Sequence, residues 1–183
     1  LSGHVVIRVT NTNPSSNAVI SGLFFGTGGT VPPPPSNAAT FVKTDITTSG
    51  TWKGVYGLDG ANVIGDTTTY PAYVAVTPGG NLEYTWAAST TDVRGLQKAS
   101  SPTDRVAACW YSASAFTVDM TFQDSNTHQV ALYLLDFDTY SGGRNERVDI
   151  LDAATNAVLD TRSVSGFTAG RYLVWNVSGH VIV

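Results

Sequence analysis

The sequence predicts an all-β fold, a two-sheet antiparallel β-sandwich of the jelly-roll type with an N-terminal β-hairpin and a proline-rich linker. Short apolar or alternating segments, rich in Val, Thr, Ile and aromatic residues, recur about every ten residues. Gly, Asn, Asp, Pro and Ser separate these segments, and none of them continues with the 3.6-residue period of a helix. Many short strands at this spacing are typical of sandwiches and jelly rolls.

Each predicted strand combines β-branched or aromatic residues with a turn signal at its ends. The strands cover residues 4–10, 18–25, 50–57, 73–77, 82–87, 104–112, 115–122, 128–138, 146–152, 157–164, 171–177 and 179–183. The segment 128–138 is apolar on both alternating sets of positions, which predicts a strand in the middle of a sheet that is covered on both faces.

The chain divides into three predicted parts. Residues 1–26 read as two apolar strands joined by a polar turn, a β-hairpin. Residues 27–50 contain four consecutive prolines, from Pro32 to Pro35, flanked by Gly, Ser and Thr, which predicts a linker because proline cannot donate to a β-ladder. Residues 51–183 supply the remaining strands and are predicted to form the sandwich domain.

The two ends of the chain carry similar seven-residue sequences. LSGHVVI at residues 1–7 matches VSGHVIV at residues 177–183, with His4 and His180 lying 176 positions apart. Such a repeat suggests one period of a tandem array. The C-terminal copy supplies the first strand of such a hairpin without the second, so the sandwich of residues 51–183 is predicted to lack a strand and to present an open edge. One strand position cannot hold both copies, which favours completion of a neighbouring unit.

Two arrangements complete that open edge. Residues 18–25 either fold back onto their own sandwich or complete a neighbouring copy, and the second arrangement, which we favour, propagates head to tail into a fibre. On strand alternation, the predicted interface residues are Val5, Ile7, Val9, Val19, Leu23, Phe25, Val181 and Val183.

Composition excludes several kinds of function. The net charge is -4, and the 10 Lys and Arg residues form no cluster, so the sequence predicts no binding to nucleic acid. No segment approaches the roughly 20 apolar residues of a membrane span, so no membrane insertion is expected. Charged residues make up only 13% of the chain, which favours a compact extracellular domain. The single cysteine, Cys109, lies in an apolar run and is interpreted as a small buried hydrophobe.

The sequence offers few residues for chemistry. It contains no converging triad or carboxylate pair, so we expect no enzyme. Four aromatic residues in or beside loops could stack on sugar rings, although core or loop packing is the alternative for each: Tyr70, Tyr73, Trp86 and Tyr140. Four acidic residues are weak candidates for a structural calcium ion, which needs six to eight oxygens, and ordinary turn carboxylates are the favoured interpretation: Asp136, Asp138, Asp59 and Asp66.

Several longer motifs resemble a family of tandem β-sandwich modules in large secreted bacterial proteins, similar in outline to carbohydrate-binding jelly rolls. They are WKGVYGLDGANVIGD, STTDVRGLQ, DRVAACWYS, HQVALYLLDFD, VDILDAATNAVLDT and RYLVWNVSGHV, followed in the family's order by VIRVTNTNPSSNAVISGLFFG. The resemblance covers most of residues 51–183 and residues 1–26. The family carries the last of these motifs at its C-terminus, so the order in this chain is rotated. The resemblance implies the fold and an extracellular, bacterial setting.

These observations predict a non-catalytic, extracellular repeat with a structural or adhesive role, which assembles with copies of itself by β-strand complementation. The alternative is a carbohydrate-binding module of a secreted or cell-surface protein, with glycans as its partners. No cofactor is expected beyond the calcium ion left open above.

Overall fold

The computed structural model describes residues 4–27 and 37–178, and this part of the chain is almost entirely β-strand. Its strands are β1 (His4–Asn11), β2 (Ala18–Ile20), β3 (Gly22–Thr27), β4 (Ala38–Asp45), β5 (Gly60–Val63), β6 (Thr67–Thr69), β7 (Val74–Gly79), β8 (Leu82–Thr90), β9 (Leu96–Gln97), β10 (Arg105–Ser112), β11 (Ala115–Phe122), β12 (His128–Leu134), β13 (Asn145–Asp152), β14 (Val158–Ser165) and β15 (Arg171–Ser178). One turn of 3-10 helix, Tyr140–Gly142, precedes β13. The predicted all-β fold is confirmed.

The described strands form three antiparallel sheets. The strand orders are β14-β13-β1-β11-β7 in the first sheet, β2-β10-β8 with β9 beside β10 in the second, and β4-β15-β12-β3-β5-β6 in the third. Side chains from all three sheets meet in one large hydrophobic cluster. Antiparallel sheets that share a core in this way have the architecture of a β-sandwich.

The strand β12 lies at the centre of the third sheet, as the sequence predicts. It pairs with β15 on one side and with β3 on the other. Every residue from Val130 to Leu135 is buried, so both faces of the strand are covered. The apolar residues at both alternating sets of positions therefore correctly predict a central strand.

The predicted N-terminal hairpin does not form. The strand β1 lies between β11 and β13 in the first sheet, whereas β3 lies between β12 and β5 in the third, so the two strands do not pair with each other. Residues 18–25, predicted as one strand, form β2 and β3 with a break at Ser21. The physical reason is burial: every residue from Ala18 to Gly26 is buried, and such a run requires cover on both faces.

The predicted interface residues lie in the core of the chain itself. Six of them are buried, and their strands pair within the same chain: Val5, Ile7, Val9, Val19, Leu23 and Phe25. Val181 and Val183 lie outside the described residues. The segment before the prolines therefore supplies central strands to two sheets of its own domain.

The structure also corrects the predicted linker at residues 27–50 and the predicted strand at residues 50–57. Within the predicted linker of residues 27–50, residues 38–45 form β4, an edge strand that pairs with β15. The Phe41 ring packs against Trp175, with ring centroids 5.4 Å apart, and this contact holds the strand against the core. The predicted strand at residues 50–57 is instead a series of turns, because Gly54 and Gly57 adopt positive φ angles of 78° and 69°.

Candidate functional site

A pocket of about 270 Å³ opens on one face of the second sheet, between β8, β10 and the loop that follows β12. We call it the aromatic pocket. Its lining residues are Asn17, Val19, Tyr84, Trp86, Cys109, Tyr111, Asp138, Tyr140 and Arg144.

Strand alternation explains why four of these side chains share a face. Tyr84 and Trp86 are two positions apart on β8, so their side chains point to the same side of the sheet. Cys109 of β10 is paired with Tyr84 across the ladder, and Tyr111 lies two positions beyond Cys109 on the same face. The floor and one wall of the aromatic pocket therefore follow from the register of one strand pair.

The aromatic rings of this face stand at steep angles to one another. The Tyr84 ring is 5.9 Å from the Trp86 ring at 79° and 6.5 Å from the Tyr111 ring at 88°, both measured between centroids and planes. These edge-to-face contacts hold Tyr84 upright while leaving it 53% exposed. Tyr140, from the loop opposite, is 54% exposed. The pocket therefore presents exposed aromatic surface from two different elements.

A buried ion-pair cluster forms the polar side of the pocket. Arg144 Nη1 donates to one carboxylate oxygen each of Asp136 and Asp138, and the Arg144 backbone amide donates to Asp136 at 3.1 Å. The Arg144 guanidinium also lies over the rings of Trp86 and Tyr140, at 5.4 Å and 5.7 Å from their centroids. One cation thus connects the strand face to the loop.

The charges of this cluster affect Asp138. Burial alone would raise the pKa of the Asp138 carboxyl, but the hydrogen bond from Arg144 and the positive charge of that side chain outweigh it, so the pKa is lowered. The Asp138 side chain remains 38% exposed, whereas the Arg144 side chain is only 3% exposed. The polar group that this cluster presents to a ligand is therefore a carboxylate.

The loop that carries Tyr140 has an unusual backbone. Thr139 and Ser141 adopt left-handed conformations with φ of 52° and 53°, and Gly142 and Gly143 follow with φ of 86° and 108°. Left-handed conformations cost free energy for residues with a Cβ atom, and they concentrate at functional sites. This backbone holds Tyr140 beside the pocket.

A buried carboxyl lies next to the pocket wall. Glu146 Oε2 accepts a hydrogen bond of 2.6 Å from the backbone amide of Val19, which lines the pocket. Burial raises the pKa of Glu146 well above its ordinary value of 4.5, and the Val19 amide opposes the shift only in part. Burial likewise raises the pKa of the Cys109 thiol, which suits the interpretation of this cysteine as a buried hydrophobe.

The structure separates the four predicted sugar-binding residues into two groups. Trp86 and Tyr140 meet in the aromatic pocket. Tyr70 does not reach it: its hydroxyl accepts a hydrogen bond of 2.7 Å from Asn62. Tyr73 donates a hydrogen bond of 2.9 Å to Asp59 and stacks on His128, with ring centroids 3.9 Å apart. Only half of the predicted set therefore converges.

Sequence reasoning missed other members of the site. Tyr84, Tyr111, Arg144 and Asn17 line the pocket but were not predicted as ligand-binding residues. The alternation of Tyr84 with Trp86 was a usable signal, because residues two apart on a strand share a face. Arg144 had no comparable signal, since its position depends on the left-handed loop.

The predicted calcium ligands are engaged elsewhere. Asp136 and Asp138 bind Arg144, the Asp59 carboxylate accepts from Tyr73, and Asp66 accepts a hydrogen bond of 2.7 Å from the backbone amide of Ala99. Across residues 4–27 and 37–178, no group of three or more His, Cys, Asp or Glu side chains is arranged to hold a metal ion.

Comparison with protein families, curated proteins and solved structures finds no match to this chain. The resemblance to secreted bacterial β-sandwich modules therefore stays a prediction. Among the described residues, no helix is both long and apolar enough to cross a membrane. The chemistry of the aromatic pocket is the basis for assigning a function.

Proposed function

We propose that this chain is a non-catalytic, extracellular carbohydrate-binding module and that the aromatic pocket is its sugar site. The observation that carries the proposal is the meeting of exposed Tyr84 and Tyr140 with the Asp138 carboxylate in one pocket. A sugar ring has apolar C–H faces, which pack on aromatic rings, and hydroxyl groups, which donate to carboxylates. Both kinds of surface are present within a single cavity.

The dimensions of the pocket favour a small ligand. Its volume of about 270 Å³ lies just below the range of small-molecule sites, roughly 300 to 1,000 Å³. We infer that it takes one terminal sugar ring. Asn17, at the rim, supplies a further amide group for hydrogen bonding to hydroxyls.

A glycan array followed by calorimetric titration tests this proposal. The wild-type chain is expected to bind at least one glycan saturably, and Tyr84→Ala and Tyr140→Ala should each weaken that binding by about tenfold, the equivalent of one aromatic contact. Tyr70→Phe and Tyr73→Phe are matched controls outside the pocket and should bind as the wild type does. The proposal fails if no glycan binds, or if Tyr84→Ala binds as tightly as the controls.

A second candidate function is that of a head-to-tail structural repeat, assembled by strand complementation. The repeat of LSGHVVI as VSGHVIV supports it, because Val181 and Val183 stand at the positions of Val5 and Ile7. The first copy supplies β1, which fills the middle of a sheet and buries Val5 and Ile7. The second copy therefore has the sequence of a strand for the same position, and in an array it would have to displace β1 of the neighbouring molecule.

Sedimentation and electron microscopy of the full chain test this second candidate. Strand complementation predicts concentration-dependent oligomers or fibres that disappear in a Val181→Asp, Val183→Asp double variant. Leu58→Asp is a control, because Leu58 is an exposed side chain far from the repeat in sequence. A chain that stays monomeric at every concentration contradicts this candidate while leaving the sugar site unaffected.

A further inference from the structure

The charges of the aromatic pocket indicate which sugars it accepts, an inference that rests on the proposed sugar-binding function. Of the described residues that line the pocket, Arg144 is the cation and Asp138 the carboxylate. Arg144 binds Asp136 as well as Asp138, so the cluster contains two carboxylates and one guanidinium. Its formal charge is therefore one negative.

The Arg144 guanidinium is poorly placed to receive an acidic ligand. Proteins hold carboxylate, sulfate and phosphate groups by presenting the open fork of an arginine. Here Nη1 is already shared between Asp136 and Asp138, and the rings of Trp86 and Tyr140 lie against the guanidinium. The Nε atom of Arg144 has no hydrogen-bond partner among the described residues, but the side chain is only 3% exposed, so its burial keeps the guanidinium from an anion that enters the pocket.

The Asp138 carboxylate, unlike the Arg144 guanidinium, is accessible to a ligand in the pocket. Its side chain is 38% exposed, and the cluster that holds it keeps its pKa low, so it stays ionised at neutral pH. A sugar hydroxyl entering the pocket can donate to this carboxylate, in a charge-assisted hydrogen bond. A uronic acid or a sulfated sugar would instead bring a second negative charge against it, and like charges placed together at an interface are strongly unfavourable.

We propose that the aromatic pocket selects uncharged sugars and excludes acidic ones, and that Asp138 is the residue that determines this selectivity. In this arrangement Arg144 and Asp138 have different roles. Arg144 positions Asp138, Trp86 and Tyr140, and among the described lining residues Asp138 is the exposed charge that faces the ligand. The selectivity is thus a property of one exposed carboxylate on a buried ion-pair cluster.

Matched pairs of sugars test this inference. The probes are the methyl glycosides of glucose, galactose and mannose, each paired with its uronic acid, titrated into the full chain at low salt so that screening is weak. The neutral member of the bound pair is expected to bind at least about tenfold more tightly than the acidic member. An acidic member that binds as tightly as its neutral partner, or more tightly, overturns the proposed selectivity while leaving sugar binding itself established.

Two variants assign the selectivity to Asp138. Asp138→Asn removes the exposed charge but keeps an oxygen that can accept from Arg144, so the neutral-to-acidic affinity ratio should fall several-fold. Glu83→Gln is the matched control, since it removes one negative charge from the opposite face of β8 and should leave the ratio unchanged. Equal ratios in wild type and Asp138→Asn overturn the assignment. A failure of all six sugars to bind would count against the proposed function itself, and the selectivity would fall with it.

Discussion

Arg8 donates a hydrogen bond of 2.8 Å from Nη2 to Oδ2 of Asp149, a residue 141 positions later in the chain. The contact joins β1 to β13 across the first sheet, where β1 is a central strand. Burial would raise the pKa of Asp149, but hydrogen bonds from Thr161, Arg8 and Arg147 lower it, so the carboxylate is held ionised inside the sheet. The N-terminal strand is thus tied into the domain by charge as well as by its apolar face.

The first prediction concerns the apolar face of β1. Ile7 is fully buried and paired between Val118 and Ile150, so Ile7→Ala should lower the free energy of unfolding by about 2 to 5 kcal/mol. The control Val55→Ala removes a half-exposed side chain and should stay within about 0.5 kcal/mol of wild type. Urea denaturation measures both. An Ile7→Ala variant as stable as the control would mean that β1 does not belong to this core.

The second prediction concerns the backbone at Gly170. Its φ is 77°, and a Cβ atom there would overlap the hydroxyl of Tyr133, which is buried and donates a hydrogen bond of 2.7 Å to the carbonyl of Arg94. We expect Gly170→Ala to cost at least about 3 kcal/mol, the sum of backbone strain and overpacking. Gly54→Ala separates the two effects, because Gly54 has a φ of 78° with open space around it and should cost only about 1 to 2 kcal/mol. Equal losses in thermal or urea denaturation would rule out the clash with Tyr133.

The third prediction concerns the pH dependence of stability. Burial raises the pKa of Glu146 in the folded chain well above 4.5. Between the two values the unfolded chain releases this proton while the folded chain keeps it, so the contribution of Glu146 to stability falls as the pH rises. Glu146→Gln cannot ionise, and it should therefore be more stable than wild type at pH 7 to 8, with the difference shrinking toward pH 4.5.

Denaturation series across that pH range measure this effect. Gln at position 146 keeps an oxygen that can accept from the Val19 amide, so the variant preserves that hydrogen bond. Glu83→Gln, at an exposed position, is the control and should follow the wild-type curve. A Glu146→Gln curve parallel to that of wild type at every pH would show that the buried carboxyl does not titrate as its burial demands.

The fourth prediction concerns the strained loop beside the pocket. Ser141 has a left-handed backbone with φ of 53°, which glycine adopts at no steric cost. Ser141→Gly should therefore stabilise the chain by up to about 1 kcal/mol. Ser163→Gly, in the exposed part of β14, should instead destabilise it by about 0.5 to 1 kcal/mol, because glycine weakens a strand. A loss of stability in Ser141→Gly would contradict the left-handed loop.

The sequence predicted elements whose pattern is local and missed those whose partners are distant. The burial of β12 could be read from its own residues, because an apolar run on both alternating sets fits only a central strand. The destination of β1 could not, since its partners in β11 and β13 lie more than 100 positions away. Adjacency in sequence suggested a hairpin with residues 18–25, yet the two segments lie in different sheets.

In the aromatic pocket, too, some residues follow from a local sequence pattern and others depend on the folded structure. Its strand-borne half, Tyr84 and Trp86, follows from an alternation visible in the sequence. Its loop-borne half depends on the left-handed residues Thr139 and Ser141, two residue types that seldom adopt this conformation, so the path of the loop could not be predicted from them. Asp138 was noticed as a carboxylate but interpreted as a metal ligand candidate, because its partner Arg144 could be placed only by the folded loop.

An NMR titration of the isotope-labelled full chain, with the glycan that binds best on the array, tests directly whether the aromatic pocket is the sugar site. Binding in the aromatic pocket should produce saturable shifts of the backbone amides at Tyr84, Trp86, Asp138 and Tyr140, with little change around Tyr70 and Tyr73. Shifts centred on Tyr70 and Tyr73, or none at a saturating glycan concentration, would contradict it.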